Sequence, residues 1–328
     1  MMVAMDDSAP TVDDDPDPRP STGRRILLGI GLAVLVAVTW WLFGQLPWVL
    51  SGFSWTTTRA VPVGSSTEGL AGVRLTLPLV AAFLPSLVAF TTVGAVAASL
   101  LPLVLTTRAG QRGPAVAVAV VSVLVTTVVV TLLARRTIEH NASDAFAGDS
   151  RVLLGLVLVV FAVTFVGAFL GTLASLQIGL LPIAVGLAAG QLPAWVHGFL
   201  VDREADAGAL RIADHAAHVL VFVVLTVAFA LSVRRTAAWV AVWPVAVALV
   251  WMAVPFQVMT TQLAGQLRPS AGLPGSLPAI LRGGVDVFRA SFWKAPQTWW
   301  PWVAAVVVAT VWALVERRLR RGRTEAQR

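Results

Sequence analysis

Residues 152–174 read VLLGLVLVVFAVTFVGAFLGTLA, a run that carries no charged side chain and is apolar at nearly every position. An α-helix needs about 20 such residues to cross the hydrocarbon core of a bilayer. The core holds no water to satisfy backbone N–H and C=O groups, so a single segment that crosses it must form a helix. The run therefore predicts a transmembrane helix.

Further runs of the same kind lie on both sides of this one. The composition agrees, since the 328 residues are 57% hydrophobic and only 12% charged, with a mean hydropathy of +0.81. Soluble domains carry about 25% charged residues. We therefore predict an all-α fold, a polytopic transmembrane helix bundle of about eight spans. The predicted spans lie near 26–46, 77–104, 114–134, 152–174, 178–199, 216–233, 237–257 and 298–315.

The span at 178–199 has the weakest signal, because it contains Pro182, Gln191 and Pro193. The arginines support it, since short cytoplasmic loops are enriched in basic residues. With eight spans, Arg24-Arg25, Arg234-Arg235 and the cluster at 317–323 all face the cytoplasm, which places both termini there. Without the fifth span, the last two clusters would face outward.

One pair of arginines opposes this orientation, because Arg135-Arg136 face outward in the eight-span arrangement.

The chain holds 23 arginines and one lysine, a ratio typical of a high-GC bacterial genome. We therefore predict a multi-pass protein of the bacterial inner (plasma) membrane.

The predicted domain organisation follows from these spans. Residues 1–25 are acidic and Pro-rich and are expected to form a disordered cytoplasmic tail. Residues 26–315 form the transmembrane domain, and 316–328 form a basic cytoplasmic tail. The external loops are predicted at 47–76, 135–151, 200–215 and 258–297. The second apolar run, 77–104, is expected to be one helix kinked near Pro85, with two half-helices as the alternative.

Metal and cofactor chemistry has little support in the sequence. The absence of cysteine excludes disulfides, thiolate metal sites and thiol nucleophiles. Asp214, His215 and His218 are weak candidates for a metal site, since histidines three apart share a helix face. A capped helix start at the wet interface explains them better. We therefore predict no metal, no cofactor and no catalytic residue.

Two pairs of glycines are spaced for close helix packing. Gly167 and Gly171, and then Gly186 and Gly190, form GxxxG motifs on consecutive predicted spans. Glycines four apart leave one helix face without side chains, so that two backbones can approach closely. We predict that these four residues pack helices within the bundle, with an oligomer interface as the alternative.

The last predicted external loop contains an amphipathic segment. Its apolar positions are Leu281, Val285, Phe288 and Phe292, and its charged positions are Arg282, Asp286 and Arg289. This spacing predicts a helix lying on the outer leaflet, weakened by Gly283-Gly284. A lid over a site or a docking surface for a partner would show the same pattern.

The predicted partners are the lipid bilayer and, as an open alternative, other membrane or envelope proteins. Nucleic acid is not expected despite the net charge of +7, because the arginines are scattered between apolar runs. No acidic or basic residue lies in the middle of a predicted span, which disfavours a proton-coupled carrier. A site built from Ser, Thr, Gln and backbone carbonyls at broken helices remains open.

These observations favour one function over two alternatives. The prediction is a non-enzymatic component of bacterial cell-envelope or division machinery. The first alternative is a transport permease, either stand-alone or the membrane subunit of an ABC-type system. The second is a membrane enzyme that uses the outer-face histidines, which the lack of a recognisable catalytic motif disfavours.

Overall fold

The computed structural model describes residues 22–50, 77, 79–106, 109–141, 150–200, 207–234, 237–267, 277–294 and 298–326. Within these ranges the regular structure is α-helix and 3₁₀-helix, with no strand. Seven helices in this part of the chain are long and apolar enough to cross a membrane. The predicted all-α bundle of membrane-spanning helices is therefore confirmed.

The helices are numbered here in chain order. They are α1 (Thr22–Gly44), α2 (Leu46–Leu50), α3 (Leu84–Ser99), α4 (Leu101–Leu105), α5 (Ala109–Asn141), α6 (Ser150–Leu176), α7 (Leu181–His197), α8 (Ala207–Val233), α9 (Trp243–Gln266), α10 (Leu277–Ser291) and α11 (Trp300–Ala326). Short 3₁₀ turns precede α3, α7 and α9, and another follows α7.

Seven of the eight predicted spans coincide with the seven membrane-compatible helices. The predicted eighth span, 298–315, lies in α11, which is not among them. The strongly apolar part of α11 is short, because it lies between Trp300-Pro301-Trp302 and Glu316-Arg317. This helix still packs against α8, and its residues Ala305 and Ala309 are completely buried.

The prediction of a kink near Pro85 was wrong. Pro85 lies in the first turn of α3, where its missing N–H breaks no helical hydrogen bond. The run is interrupted instead at Leu100, a turn residue between α3 and α4. Pro102 has no N–H to donate to the carbonyl of Ala98, so its ring explains the interruption.

Several predicted loops and tails are partly helical. In the structure α5 continues to Asn141, α8 begins at Ala207 and α9 continues to Gln266, so the loops predicted at 135–151, 200–215 and 258–297 are shorter. Likewise α1 begins at Thr22 and α11 continues to Ala326. The rest of the predicted N-terminal tail, residues 1–21, and most of the loop at 47–76 lie outside the described residues. The orientation of the termini remains a prediction.

Helix α3 lies at the centre of the bundle. Most of the span from Leu84 to Leu105 is buried, whereas the other membrane-compatible helices expose half or more of theirs. It packs against α1, α6 and α7. One buried apolar cluster joins it to α1, α5 and α6, and a second joins α7, α8, α9 and α11. The region between α3, α6, α7 and α9 is where the candidate site lies.

Candidate functional site

The four predicted packing glycines all lie at close helix contacts inside the bundle. A β-carbon at Gly167 would lie 3.0 Å from the Cβ of Ala95, and one at Gly171 would lie 2.7 Å from that of Ser99. These two residues therefore bring α6 close to α3. The two motifs do not pack against each other, because the second one faces a different helix.

Gly186 and Gly190 bring α7 close to α9. A β-carbon at Gly186 would lie 2.8 Å from the carbonyl oxygen of Ala246, and one at Gly190 would lie 2.6 Å from the Cβ of Ala253. The side chain of Gln257 adds a polar contact here, since its Nε2 donates to the carbonyl of Gly190 at 3.4 Å. The two close contacts fix α6 on α3 and α7 on α9, and they flank a cavity.

The cavity has a volume of about 350 Å³. This falls within the range of roughly 300–1,000 Å³ that is usual for small-molecule sites in proteins. Its walls come from α3, α6, α7 and α9, and one residue of α10 completes it. The lining residues, all of them uncharged, are Val88, Thr92, Ala162, Val163, Val166, Leu187, Gln191, Leu249, Met252, Ala253, Phe256 and Phe288.

Gln191 is the main polar group of the cavity. Its side chain is only 4% exposed, and its Oε1 is fully enclosed without a hydrogen-bond partner in the described part of the chain. A buried acceptor left unpaired costs about 1–3 kcal/mol. Thr92 differs, because its hydroxyl donates to the carbonyl of Val88 at 2.7 Å. The described lining of the cavity is thus apolar apart from Thr92 and Gln191, and the Oε1 of Gln191 is buried without a donor.

Helix α10 covers one side of the cavity. The amphipathic helix predicted for this segment is confirmed, and it packs against α9. Its position on the outer leaflet remains a prediction. Ile280 is buried, and Gly284 lies against Leu263, where a β-carbon would meet the Leu263 side chain at 3.0 Å. Phe288, one turn further along, lines the cavity. Helix α10 therefore lies at the position that a lid over the cavity would occupy.

The face of α10 that packs inward differs from the predicted stripe. Leu281 and Val285 are 54% and 44% exposed, whereas Gly284 is buried. Gly284, which was expected to weaken the helix, instead forms a contact between α10 and α9. A residue without a side chain lets the two helix axes approach, and this effect outweighs the lower helix propensity of glycine.

The weak metal candidates lie together on α8 and apart from the cavity. The predicted helix start at Asp214 was wrong, because α8 begins at Ala207 and Asp214 lies about two turns inside it. The Nδ1 of His218 is 2.7 Å from the backbone carbonyl of Asp214 and 3.5 Å from the Asp214 carboxylate. The His215 ring stacks against Trp300, with ring centroids 6.4 Å apart. Among the described residues no three histidine, aspartate or glutamate side chains are grouped to hold a metal ion.

Comparison of the chain with protein-family models, curated proteins and solved structures found no match. None of the described side chains that line the cavity is a general acid or base.

Two features of the sequence indicated this site, although the apolar composition of the spans made both features hard to recognise. Gln191 interrupts an apolar run and weakens the hydropathy signal of the span at 178–199. A polar side chain within a span is also a marker of a functional surface, because it needs a partner that lipid does not supply. Phe288 belongs to the amphipathic segment for which a lid was an open alternative.

Proposed function

We propose that this integral membrane protein is a non-enzymatic component of the bacterial cell envelope that binds a lipid-class molecule within its helix bundle. The observation that carries the proposal is the cavity of about 350 Å³ between α3, α6, α7 and α9. Its described lining is apolar apart from Thr92 and Gln191. An apolar chain fits such walls, whereas a charged solute would lose its hydration without gaining a counter-charge.

The position of the cavity supports a ligand that arrives from the bilayer. Ala162 and Val166 line it and are also exposed on the outer surface of α6, which is one of the membrane-compatible helices. Exposed positions in the middle of a spanning helix face lipid. A lipid chain can therefore enter beside α6 without crossing water.

Filling the cavity is expected to exclude the ligand. Ala162→Trp adds a large side chain at an exposed position on the rim of the cavity, so the indole can enter the cavity without separating packed helices. We expect native mass spectrometry of wild-type protein in mild detergent to show bound lipid. The Ala162→Trp variant should retain less than about a tenth of it, because the tryptophan occupies the binding volume.

Ala248→Trp is the matched control. Ala248 is exposed on α9 and does not line the cavity, so the same substitution there should leave the bound lipid unchanged. Equal lipid content in the wild type and both variants would mean that the lipid is adsorbed on the outer surface, and this would refute the proposal.

A permease is the second candidate function, and prolines inside two of the helices that line the cavity, together with a break in the central span, favour it. Proline lies inside α7 at Pro193 and inside α9 at Pro255, next to Phe256 of the lining, and the central span is broken at Leu100. Such positions are where helices bend. Flux of a lipid analogue in proteoliposomes containing the purified protein would favour the permease, and folded protein in inert vesicles would favour the binding component.

A further inference from the structure

We infer that the basic end of α11 binds the headgroups of anionic lipids, at a surface separate from the cavity. This surface, the arginine end, consists of residues 317–323 of α11, which read RRLRRGR. The inference does not rest on the proposed function, because none of the described residues that line the cavity belongs to this surface. The depth of these arginines in the membrane and their charge indicate the ligand.

Helix α11 lies along α8 and runs in the same direction. At its start, the ring of Trp300 lies 6.4 Å from those of His215 and Phe222. At the far end of the contact, the Nε of Arg234 lies 3.6 Å from the Oε1 of Glu316. Glu316 on α11 is therefore level with Arg234, which directly follows the last residue of α8.

Both helices change from apolar to charged residues at this level. On α8 the change comes between Val233, the last residue of a membrane-compatible helix, and Arg234. On α11 it comes between Val315 and Glu316. The exposed residues of α11 before this point are apolar, apart from Thr310, and include Val307, Val308, Val311, Trp312, Leu314 and Val315. The same change at the same level on two neighbouring helices marks the edge of the hydrocarbon core.

The arginine end begins directly beyond this edge. Helix α11 continues to Ala326, so the five residues after Glu316 advance about 7 Å along its axis. The headgroup layer adds roughly 5–7 Å on each side of the core. Residues 317–321 therefore lie at the depth of the lipid headgroups, and four of these five residues are arginine.

The protein does not neutralise this charge within its described part. Glu316, the acid next to the arginine end, forms an ion pair with Arg234. Arg317 and Arg318 are exposed, and neither forms an ion pair among the described residues. A guanidinium can donate two parallel hydrogen bonds to phosphate oxygens. An anionic headgroup supplies the missing counter-charge, whereas a zwitterionic headgroup carries its own cation beside the phosphate.

The number and position of the arginines also fit this ligand. Four to eight basic residues directly beside a membrane helix are typical of proteins that bind anionic lipids. The arginine end holds five arginines and no acidic residue.

The experiment measures which lipid lies beside the arginine end. Because the chain has no cysteine, Leu319→Cys gives a single site for a fluorophore, at a residue that is 62% exposed. The full chain is placed in nanodiscs of phosphatidylcholine and phosphatidylglycerol, and either lipid carries a spin label that quenches the fluorophore. We expect phosphatidylglycerol to quench at a mole fraction roughly fivefold lower than phosphatidylcholine, and added salt to reduce this difference.

Variants in the Leu319→Cys background test the arginines themselves. The pair Arg317→Gln and Arg318→Gln should lower the preference for phosphatidylglycerol at least about threefold, because two positive charges are lost. The pair Arg317→Lys and Arg318→Lys keeps both charges and should keep most of the preference. A preference that persists in the glutamine pair, or that the lysine pair abolishes, would overturn the role of these two charges.

Arg282→Gln with Arg289→Gln is the matched control, since it removes the same charge elsewhere. Both arginines are exposed on α10. Helix α9 begins beside Ser232, near the arginine end, and α10 contacts α9 toward its other end, at Leu263. The preference measured at Leu319→Cys should therefore be unchanged in this control. A loss equal to that in the Arg317 and Arg318 pair would mean that only net charge matters, and this would contradict a local site.

Two further outcomes are decisive. Equal quenching by the two lipids in the unsubstituted background would overturn the inference. Inorganic phosphate that abolishes the preference, compared with chloride at equal ionic strength, would also overturn it, because a soluble anion would then be the ligand. Ala162→Trp fills the cavity and should leave the preference intact, so failure of this inference is distinguishable from failure of the proposed function.

Discussion

Replacing Gly94 by leucine is expected to separate α1 from the central helix and to cause a large loss of stability. A β-carbon at Gly94 would lie 2.9 Å from the Cα and 3.0 Å from the N of Gly44, and 3.1 Å from the carbonyl oxygen of Trp40. All three are backbone atoms, which cannot rotate away as a side chain can. Overpacking of this kind costs about 1–3 kcal/mol or more.

Thermal unfolding in detergent, followed by size-exclusion chromatography, measures this effect. We expect Gly94→Leu to lower Tm by roughly 5–10 °C or to give aggregated protein. Gly155→Leu is the control, because no atom lies within 4 Å of a β-carbon at Gly155. Leucine also has a higher helix propensity than glycine, so Gly155→Leu should leave Tm unchanged or raise it. Equal Tm values for the two variants would contradict the α1–α3 contact.

Gly186→Leu is expected to damage both the fold and the cavity. Its β-carbon would lie 2.8 Å from the carbonyl oxygen and 3.0 Å from the Cα of Ala246, so α7 must move away from α9. That movement displaces Gln191, which follows on the same helix and lines the cavity. We expect a fall in Tm of roughly 5–10 °C together with loss of the co-purified lipid.

Gly265→Leu provides the comparison for this variant. Gly265 lies near the end of α9, and a β-carbon there would have no atom within 4 Å. It should keep both the wild-type Tm and the bound lipid. If Gly186→Leu also kept both, the close contact between α7 and α9 would not exist as described.

The fold was predictable because a membrane span has a strong and simple signal. Seven apolar runs of about 20 residues, such as 152–174, correspond to the seven membrane-compatible helices. Their ends were less predictable. Helices α5 and α9 continue past the apolar stretch into polar sequence, since the helical hydrogen bonds of a nucleated helix do not stop where the hydrocarbon core ends.

The contacts between helices were only partly predictable. The GxxxG spacing marks Gly167 and Gly186 as packing positions, but it does not say which helix each one contacts. Gly44 and Gly94 show the limit more clearly. They are distant in sequence and belong to no GxxxG motif, yet they form the tight contact between α1 and α3. Only the three-dimensional pairing of the helices reveals such a position.

The site was hidden for a related reason. A lone glutamine in an apolar run lowers the hydropathy of that run, and hydropathy alone treats it as a defect of the span. Its meaning depends on the neighbours that surround it, and these come from α3, α6, α9 and α10. The sequence predicted the helix that carries Gln191, whereas the structure shows that the side chain lines a cavity.

The most direct test of the cavity as a lipid site is to map where a lipid that carries a photoactivatable diazirine attaches. After cross-linking in nanodiscs, peptide sequencing by mass spectrometry should find the label on cavity residues such as Val163, Met252 and Phe256. Leu154 and Leu158, exposed on the same helix α6 but outside the cavity, should carry little. Label concentrated in the cavity is the result that we predict, and label spread evenly over the outer surface of α6 would contradict the account.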